Sequence, residues 1–458
     1  MRRSSAVVAS FFISVSSAVG LPQSASGEPA GDAAGPGIRS NLSTEPEDEG
    51  TDSDDGTDDP GAARTEVGGV ATALVRSHFA RRAGVTSWSS DGATLIVRVV
   101  GVTAADRTWV TNNVDTQALF TVRVDATKIA VDELFELQAR VEYKLGSSID
   151  DIGWSVGLDL DWQAVYLTVN GDPATRTTTD QARVDSAIEQ VTDEADQYAA
   201  EINYAQRTVD GARSGGGTLN EIFRTSSGGN EVEQTDYRDE QPMRGGKWLR
   251  TPDGGSCTAG FLLRHPSHGA WRVSMAGHCA DGGDGNGETG GIVRAWDGST
   301  VGSVRTNTFE NGGTDIALFA VPSSATTAAR VVISAGQYRN VTGKRSGDNL
   351  THNDRQSFAG RGIWYYENTP NKCGSLKKLN VSFSDNGSKV SGLYCLERRT
   401  RGGDSGGPVY YPLGDSRADA AGSIVGSKKE RRFTTTKWYA CYHTINRIEG
   451  VTGYRVVS

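Results

Sequence analysis

Cysteine is missing from the first 256 of the 458 residues; the five that follow are Cys257, Cys279, Cys373, Cys395 and Cys441. Whatever folds upstream does so without disulfides, while the last part of the chain holds thiols that an exported protein can oxidise. The cysteines form no CxxC pair and the six histidines are scattered, so the spacing of a metal site is lacking. His265 and His268 flank a Pro-Ser turn and read as surface residues. A basic excess is lacking as well: 47 Lys and Arg stand against 56 Asp and Glu, a net charge of -9, which argues against nucleic acid as a partner. Beyond Val19 no apolar run approaches the ~20 residues that cross a bilayer, so a mature form without a membrane segment is expected.

What is present divides the chain. Its length suits two or three folded units at roughly 100 to 200 residues each. Met1-Arg2-Arg3 is basic, Ala6 to Val19 is small and apolar, and Ser24-Ala25-Ser26 offers a cleavage site; this is the pattern of a signal peptide over 1–26 and of a secreted, extracellular product. Residues 27–64 read as an acidic, disordered spacer, because Glu45, Glu47, Asp48, Glu49, Asp52, Asp54 and Asp55 repel one another and bury nothing.

Residues 65–213 read as a smaller folded α/β unit. Runs 94–101 and 164–171 are rich in β-branched residues and end on turn formers, as strands do. Between them, 130–145 carries Val131, Leu134, Phe135, Leu137, Val141 and Leu145 at mostly helical spacing, and 183–205 is a second, more polar helix candidate. Trp88-Ser89 before one strand and Trp154-Ser155 before the other hint at a duplicated motif. Residues 214–244 are Gly-rich with interleaved acids and read as a linker and processing region. From 245 to 458 short β-rich runs follow closely at 260–264, 271–275, 292–295, 300–305, 316–321 and 329–334, with Asp297-Gly298 as a hairpin turn; the texture is that of an all-β barrel or sandwich.

Three motifs in this last part carry chemistry. Gly403-Asp404-Ser405-Gly406-Gly407 presents a serine on a tight turn, where backbone N–H groups can face an oxyanion beside the nucleophile. Met275-Ala276-Gly277-His278-Cys279 sets an imidazole next to a cysteine that can bridge back to Cys257. Gly313-Thr314-Asp315-Ile316 places a carboxylate at the head of an apolar strand, where it can hold a histidine N–H and fix its tautomer. Each alone has an ordinary explanation as a turn, a core histidine or a strand-end aspartate. In the order His, Asp, Ser they read as one triad; a lipase-type serine hydrolase would need the order Ser, Asp, His.

On these motifs residues 245–458 resemble the chymotrypsin-like (trypsin-fold) serine proteases, and within them the bacterial branch of α-lytic protease and the streptogrisins. The resemblance implies an all-β catalytic domain of two antiparallel six-stranded β-barrels preceded by an α/β pro-region. It implies a secreted serine endopeptidase, made as a pro-enzyme, that hydrolyses protein or peptide substrates through an acyl-enzyme. His278, Asp315 and Ser405 would be catalytic, the N–H groups of Gly403 and Ser405 would form the oxyanion hole, and no cofactor or metal would be needed. A short helix would close the chain within 443–451. The 65–213 segment would act as an intramolecular chaperone or inhibitor; the other reading keeps it as an accessory binding domain. The mature enzyme would be a monomer. A catalytically inactive protease-fold binding module is the alternative function.

The resemblance also implies finer assignments. Cys257 would bridge to Cys279 and Cys395 to Cys441, with Cys373–Cys395 as the alternative; otherwise Cys373 stays outside both bridges, the place of its partner being taken by Lys344. Val425, Gly426 and Ser427 fall on the substrate-binding strand, Val425 standing where relatives often have a serine that supports the triad aspartate. Arg345 would be the internal arginine that pairs with Asp404 and braces the oxyanion backbone. The charged run from Glu397 to Arg401 is either a basic pocket floor favouring acidic side chains, with His443 as a helper, or a solvated loop.

Overall fold

The computed structural model describes residues 60–206 and 243–458 apart from short internal stretches, the longest being 281–288, 322–328 and 361–370. The expected signal peptide, most of the expected acidic spacer, the expected linker up to residue 242 and Asp297 of the expected hairpin turn lie outside the described residues. No helix among the described residues is long and apolar enough to cross a membrane.

Residues 60–206 run through one order of elements twice. First come α1 (Pro60–Phe79), β1 (Ser87–Trp88), β2 (Thr94–Val100), α2 (Ala104–Asn113) and β3 (Thr121–Thr127). Then follow α3 (Val131–Ser148), β4 (Trp154–Asp159), β5 (Ala164–Val169), α4 (Thr178–Gln197) and β6 (Ile202–Gln206). In each copy the first two strands are antiparallel and the third lies parallel to the second, reached across a helix. A buried tryptophan, Trp88 or Trp154, sits in the first strand of each. Polar caps start the crossover helices: Thr103 accepts from the Asp106 N–H and Thr177 from the Asp180 N–H, filling donors that the first turn leaves open.

Two boundaries differ from the sequence-based reading. α1 begins at Pro60, inside the stretch taken as spacer; proline suits a first helical turn, where its missing N–H costs nothing. The second helix spans Thr178–Gln197 rather than 183–205, and residues 202–206 join β5 as a parallel strand.

The rest of the chain is β-rich. The strands β7 (Trp248–Arg250), β8 (Ser256–Thr258), β9 (Leu262–Arg264), β10 (Trp271–Met275), β11 (Ile292–Ala295), β12 (Thr300–Asn307) and β13 (Ala317–Ala320) pair in the order β9-β10-β13-β12-β11-β7-β8. β8 and β9 are two halves of one bent run, with Gly260 N–H donating to Ser274 O at the bend, so the sheet's ends meet and a six-stranded barrel closes. Leu249, Val273, Met275, Val293, Val304 and Phe319 fill it.

After the hairpin β14 (Arg330–Ser334) and β15 (Gln337–Lys344) come β16 (Arg355–Ala359), β17 (Asn371–Asp385), β18 (Ser388–Glu397), β19 (Pro408–Leu413), β20 (Arg417–Arg432) and β21 (Thr435–Thr444). The last six pair antiparallel in a closed ring, β16-β17-β18-β21-β20-β19 and back to β16. α5 (Ile445–Thr452) packs Ile445 and Ile448 among Phe261, Leu318 and Tyr410, and β22 (Arg455–Val456) returns to β9. Two antiparallel six-stranded barrels preceded by a smaller α/β unit is the architecture the sequence led us to expect.

The α/β unit and the second barrel share a sheet. Residues 371–375 of β17 pair with β16, and residues 378–384, beyond the end of β16, pair antiparallel with β4. Side chains stitch the seam: Ser382 donates to Glu142 (2.8 Å), Ser384 to Asp150 (2.6 Å), and Lys389 pairs with Glu142 (3.1 Å). Beneath them Lys378 pairs with Asp159 at 3.4 Å, the side chains 1% and 4% exposed. Lys428 donates to Ser155 Oγ at 3.0 Å, and the Tyr166 ring lies 3.9 Å from the Lys378 ammonium and 4.0 Å from that of Lys428.

Candidate active site

β10 and β13 are antiparallel neighbours with Met275 opposite Ala317, so the chain leaves one and enters the other at the same barrel edge. A 3-10 turn, Gly277–Cys279, follows β10, and Asp315 stands two residues before β13. There the two side chains meet: His278 Nδ1 lies 2.7 Å from Asp315 Oδ2, and the His278 backbone N–H donates to Oδ1 at 2.8 Å. Asp315 is buried, and the His278 side chain is 6% exposed. An ionised carboxylate can only accept, so this contact places the imidazole proton on Nδ1 and leaves Nε2 with a lone pair able to take another. The turn is tied down by the Cys257–Cys279 disulfide and by Asn307 Nδ2, which donates to Gly277 O at 3.1 Å.

Ser405 lies in the loop between β18 and β19. Gly403 and Gly406 have φ of 95° and 88°, and a Cβ on Gly406 would come within 2.3 Å of Thr258 O, so glycine is required there. Both barrels hold the loop. From the first, Thr258 donates its N–H to Ser405 O (2.8 Å) and its hydroxyl to Gly403 O (2.7 Å). From the second, Gly406 N–H donates to Ile424 O (2.7 Å) and Ile424 N–H to Gly407 O (2.8 Å). Cys279 Sγ lies 4.0 Å from Ser405 O, which brings the residue after His278 against the serine's own peptide. Ser405 Oγ donates to Val425 O at 3.3 Å. Among the described residues, the N–H groups of Gly403 and Ser405 have no acceptor.

Two closed barrels, with a His-Asp pair at the edge of one and a serine loop strapped between both, decide the architecture. The fold is chymotrypsin-like. No protein-family model matches the chain, and no curated protein does. Among solved structures it is similar to a glutamic-acid-specific serine protease described as using a histidine triad in substrate binding (TM-score 0.37, 19% identity, 47% of this chain and 100% of that one). It is also similar to Thermobifida fusca protease A (0.35, 23%, 47% and 97%) and to a Cellulomonas bogoriensis chymotrypsin (0.35, 22%, 47% and 99%). These are likenesses of fold.

Within this chymotrypsin-like fold several expected contacts are replaced by others. The Arg345–Asp404 pair is not formed: the Arg345 guanidinium lies 4.0 Å from the Tyr411 ring centroid, with Nε 3.8 Å from Asp419. The reason is register. β15 runs parallel to the first part of β20, Asn340–Lys344 beside Arg417–Ala420, whereas the serine loop bonds farther along at Ser423 and Ile424. Asp404 instead accepts the Arg401 N–H at 2.7 Å, and its other oxygen packs on Gly360, where a Cβ would come within 2.2 Å.

Lys344 pairs with Glu449, and the residue across from Cys373 is Ser357. Cys395 and Cys441 face each other across β18 and β21 and are bridged; Cys373 lies outside both disulfides.

Val425 is buried among Phe383, Leu393 and the Cys395–Cys441 bridge, at a register shift between Ile424 and Gly426 that turns its carbonyl toward Ser405; Gly426 and Ser427 pair with Cys441 and Ala440. The charged run before the serine is partly buried rather than solvated. Arg398, Arg399 and Arg401 are half-buried, and Arg399 lies over Trp438. Burial, then Arg398 and Arg401, pull the Lys372 ammonium down to about 8 against the opposing pull of Asp404. His443 is not a pocket helper: its Nε2 accepts the backbone N–H of Asp315 at 2.9 Å. Sequence reasoning missed this contact, and the signal available was a histidine in a strand two residues past a bridging cysteine.

Proposed function

We propose that the chain is the precursor of a secreted serine endopeptidase in which Ser405 attacks the scissile carbonyl, His278 takes its proton and passes it to the leaving amine, and Asp315 holds and stabilises the imidazolium. The observation that carries this reading is the buried His278–Asp315 pair, gripped through both carboxylate oxygens, beside a serine on a glycine turn. The open N–H groups of Gly403 and Ser405 suit an oxyanion hole, where one donor is worth about 2.7 to 4 kcal/mol of barrier. The Ser405 hydroxyl bonded to Val425 O needs a rotation about Cα–Cβ to engage the base, and resting enzymes often keep such bonds loose. Protein or peptide substrates would lie along Val425, Gly426 and Ser427.

A fluorophosphonate probe should label the processed protein and casein should be cleaved, and Ser405→Ala should abolish both while the protein still folds. Absent labelling of a folded protein would favour an inactive binding module; ester cleavage without proteolysis would point to another hydrolase.

Residues 65–213 serve in this reading as the folding template and inhibitor. The support is the sheet shared through β4 and β17, because barrels built of long-range β pairs fold slowly and a preformed edge removes part of that search. Residues 245–458 expressed alone should gain activity slowly and incompletely; prompt full activity would reject the template role.

A further inference from the structure

We propose that His443, on β21 of the second barrel, is a positioning residue for Asp315 of the first, a neutral imidazole that holds the aspartate's own peptide in line with the serine loop. The inference rests on the triad reading above. Both oxygens of Asp315 are turned to His278, so the place of that pair relative to Ser405 depends on the backbone that carries the aspartate.

The holds on that backbone from outside the first barrel come from the part of the molecule that carries the serine. Asp315 N–H donates to His443 Nε2 at 2.9 Å. Gly313 O accepts from Ser391 N–H (2.8 Å) and from Arg447 (3.4 Å), and Arg447 Nε donates to Thr314 Oγ1 (3.2 Å). Of these, only His443 meets the aspartate itself. It stands opposite Ser423 in the β20–β21 register, and Ser423 Oγ donates to Gly406 O at 2.8 Å. One strand position therefore separates the imidazole from the turn that presents Ser405. Val425 supplies no hydroxyl to the carboxylate, and the histidine braces the aspartate from the backbone side instead.

The role demands one tautomer. Accepting an N–H through Nε2 requires a lone pair there, so the proton sits on Nδ1. His443 is fully buried between Leu393 of β18 and Ser423 of β20, with Arg447 of α5 and Asp315 as the charged groups acting on it. Burial first, then Arg447, push its pKa down to about 3 against the opposing pull of Asp315, so it stays an acceptor while His278 cycles its proton.

The test uses the full chain carrying Ser405→Ala with ¹⁵N-labelled histidine, only six of which occur. His443 should show the Nδ1–H tautomer and no titration between about pH 8 and pH 5, and the His278–Asp315 proton should give a low-field resonance. His443→Met removes the acceptor at similar bulk and should broaden or abolish that resonance. In the Ser405 enzyme it should lower kcat by roughly 10- to 100-fold with KM nearly unchanged, the scale of a displaced catalytic group. His443→Gln, whose Oε1 reaches about as far as Nε2, should restore most of both. An Nε2–H tautomer or a titrating His443 overturns the proposal whatever the variants do, as does a folded Met variant with an unaltered resonance and kcat. If the Met variant fails to fold, the native tautomer and the Gln variant decide. A chain that cleaves no peptide yet shows the expected tautomer and resonance sinks the endopeptidase reading and leaves the positioning role standing.

Discussion

The two copies of the α-β-β-α-β unit put their polar faces to opposite uses. In the first sheet β3 turns Arg123 and Asp125 to water, where they pair at 2.9 Å with side chains 59% and 35% exposed. In the second, β4 sends Trp154, Val156 and Leu158 into the core beneath α3 and α4, and Ser155, Gly157 and Asp159 to the other face, yet all six are buried. The partner is the second barrel, whose Lys378 and Lys428 meet Asp159, Ser155 and the ring of Tyr166. Gly157 makes room for that ring, since a Cβ there would come within 2.6 Å of it. An alternating strand announces two faces, and only the complementary surface decides whether the polar one stays wet.

This contrast can be broken at its strongest point first. Asp159→Ala removes the carboxylate beside buried Lys378 and should cost about 3 to 5 kcal/mol, read from urea unfolding of the full chain in the Ser405→Ala background; Asp159→Leu with Lys378→Met should recover most of it. A loss below about 1 kcal/mol would mean that the seam is wetter than its burial says.

A second effect, spread over a range of pH, concerns a buried group that must stay neutral. His443 has a pKa near 3 when folded and 6.5 as its ordinary value, so the unfolded chain takes up the proton first. Its contribution to stability is complete above about pH 6.5 and is lost as pH falls toward 3, by about 1.4 kcal/mol per pH unit. Thermal melts over that range should flatten by this slope in His443→Gln, and an unchanged slope would place the proton elsewhere. At the exposed end of the comparison, Asp125→Ala should change stability by no more than about 0.5 kcal/mol, measured the same way.

Much of the fold was legible because the strands and the helix over 131–148 carry their own periodicity. The duplicated unit showed as two tryptophans before two strands. What escaped depended on distant partners. β6 has little alternation of its own and is a strand because β5 offers it an edge. α2 went unread although Thr103 and Asp106 form a capping box, a signal that was there to use. The His278–Asp315 contact followed from motif order, whereas the Arg345 assignment failed because a parallel register, invisible in sequence, carries that arginine to Asp419.

The strap at Met243–Gly246 limits where the chain can be cut. Gly245 N–H donates to Arg330 O and its carbonyl accepts from Val332, while Gly246 N–H donates to Ala259 O, so the strap ties the first barrel to the β14–β15 hairpin. Gly245 is buried, with Gly260 O only 2.8 Å from where a Cβ would stand. Hydrolysis after Arg244 would turn this buried amide into an ammonium with three protons facing one acceptor of the ladder, and taking such an ion out of solvent costs several kcal/mol. A cut at this bond therefore works against the fold that the strap completes.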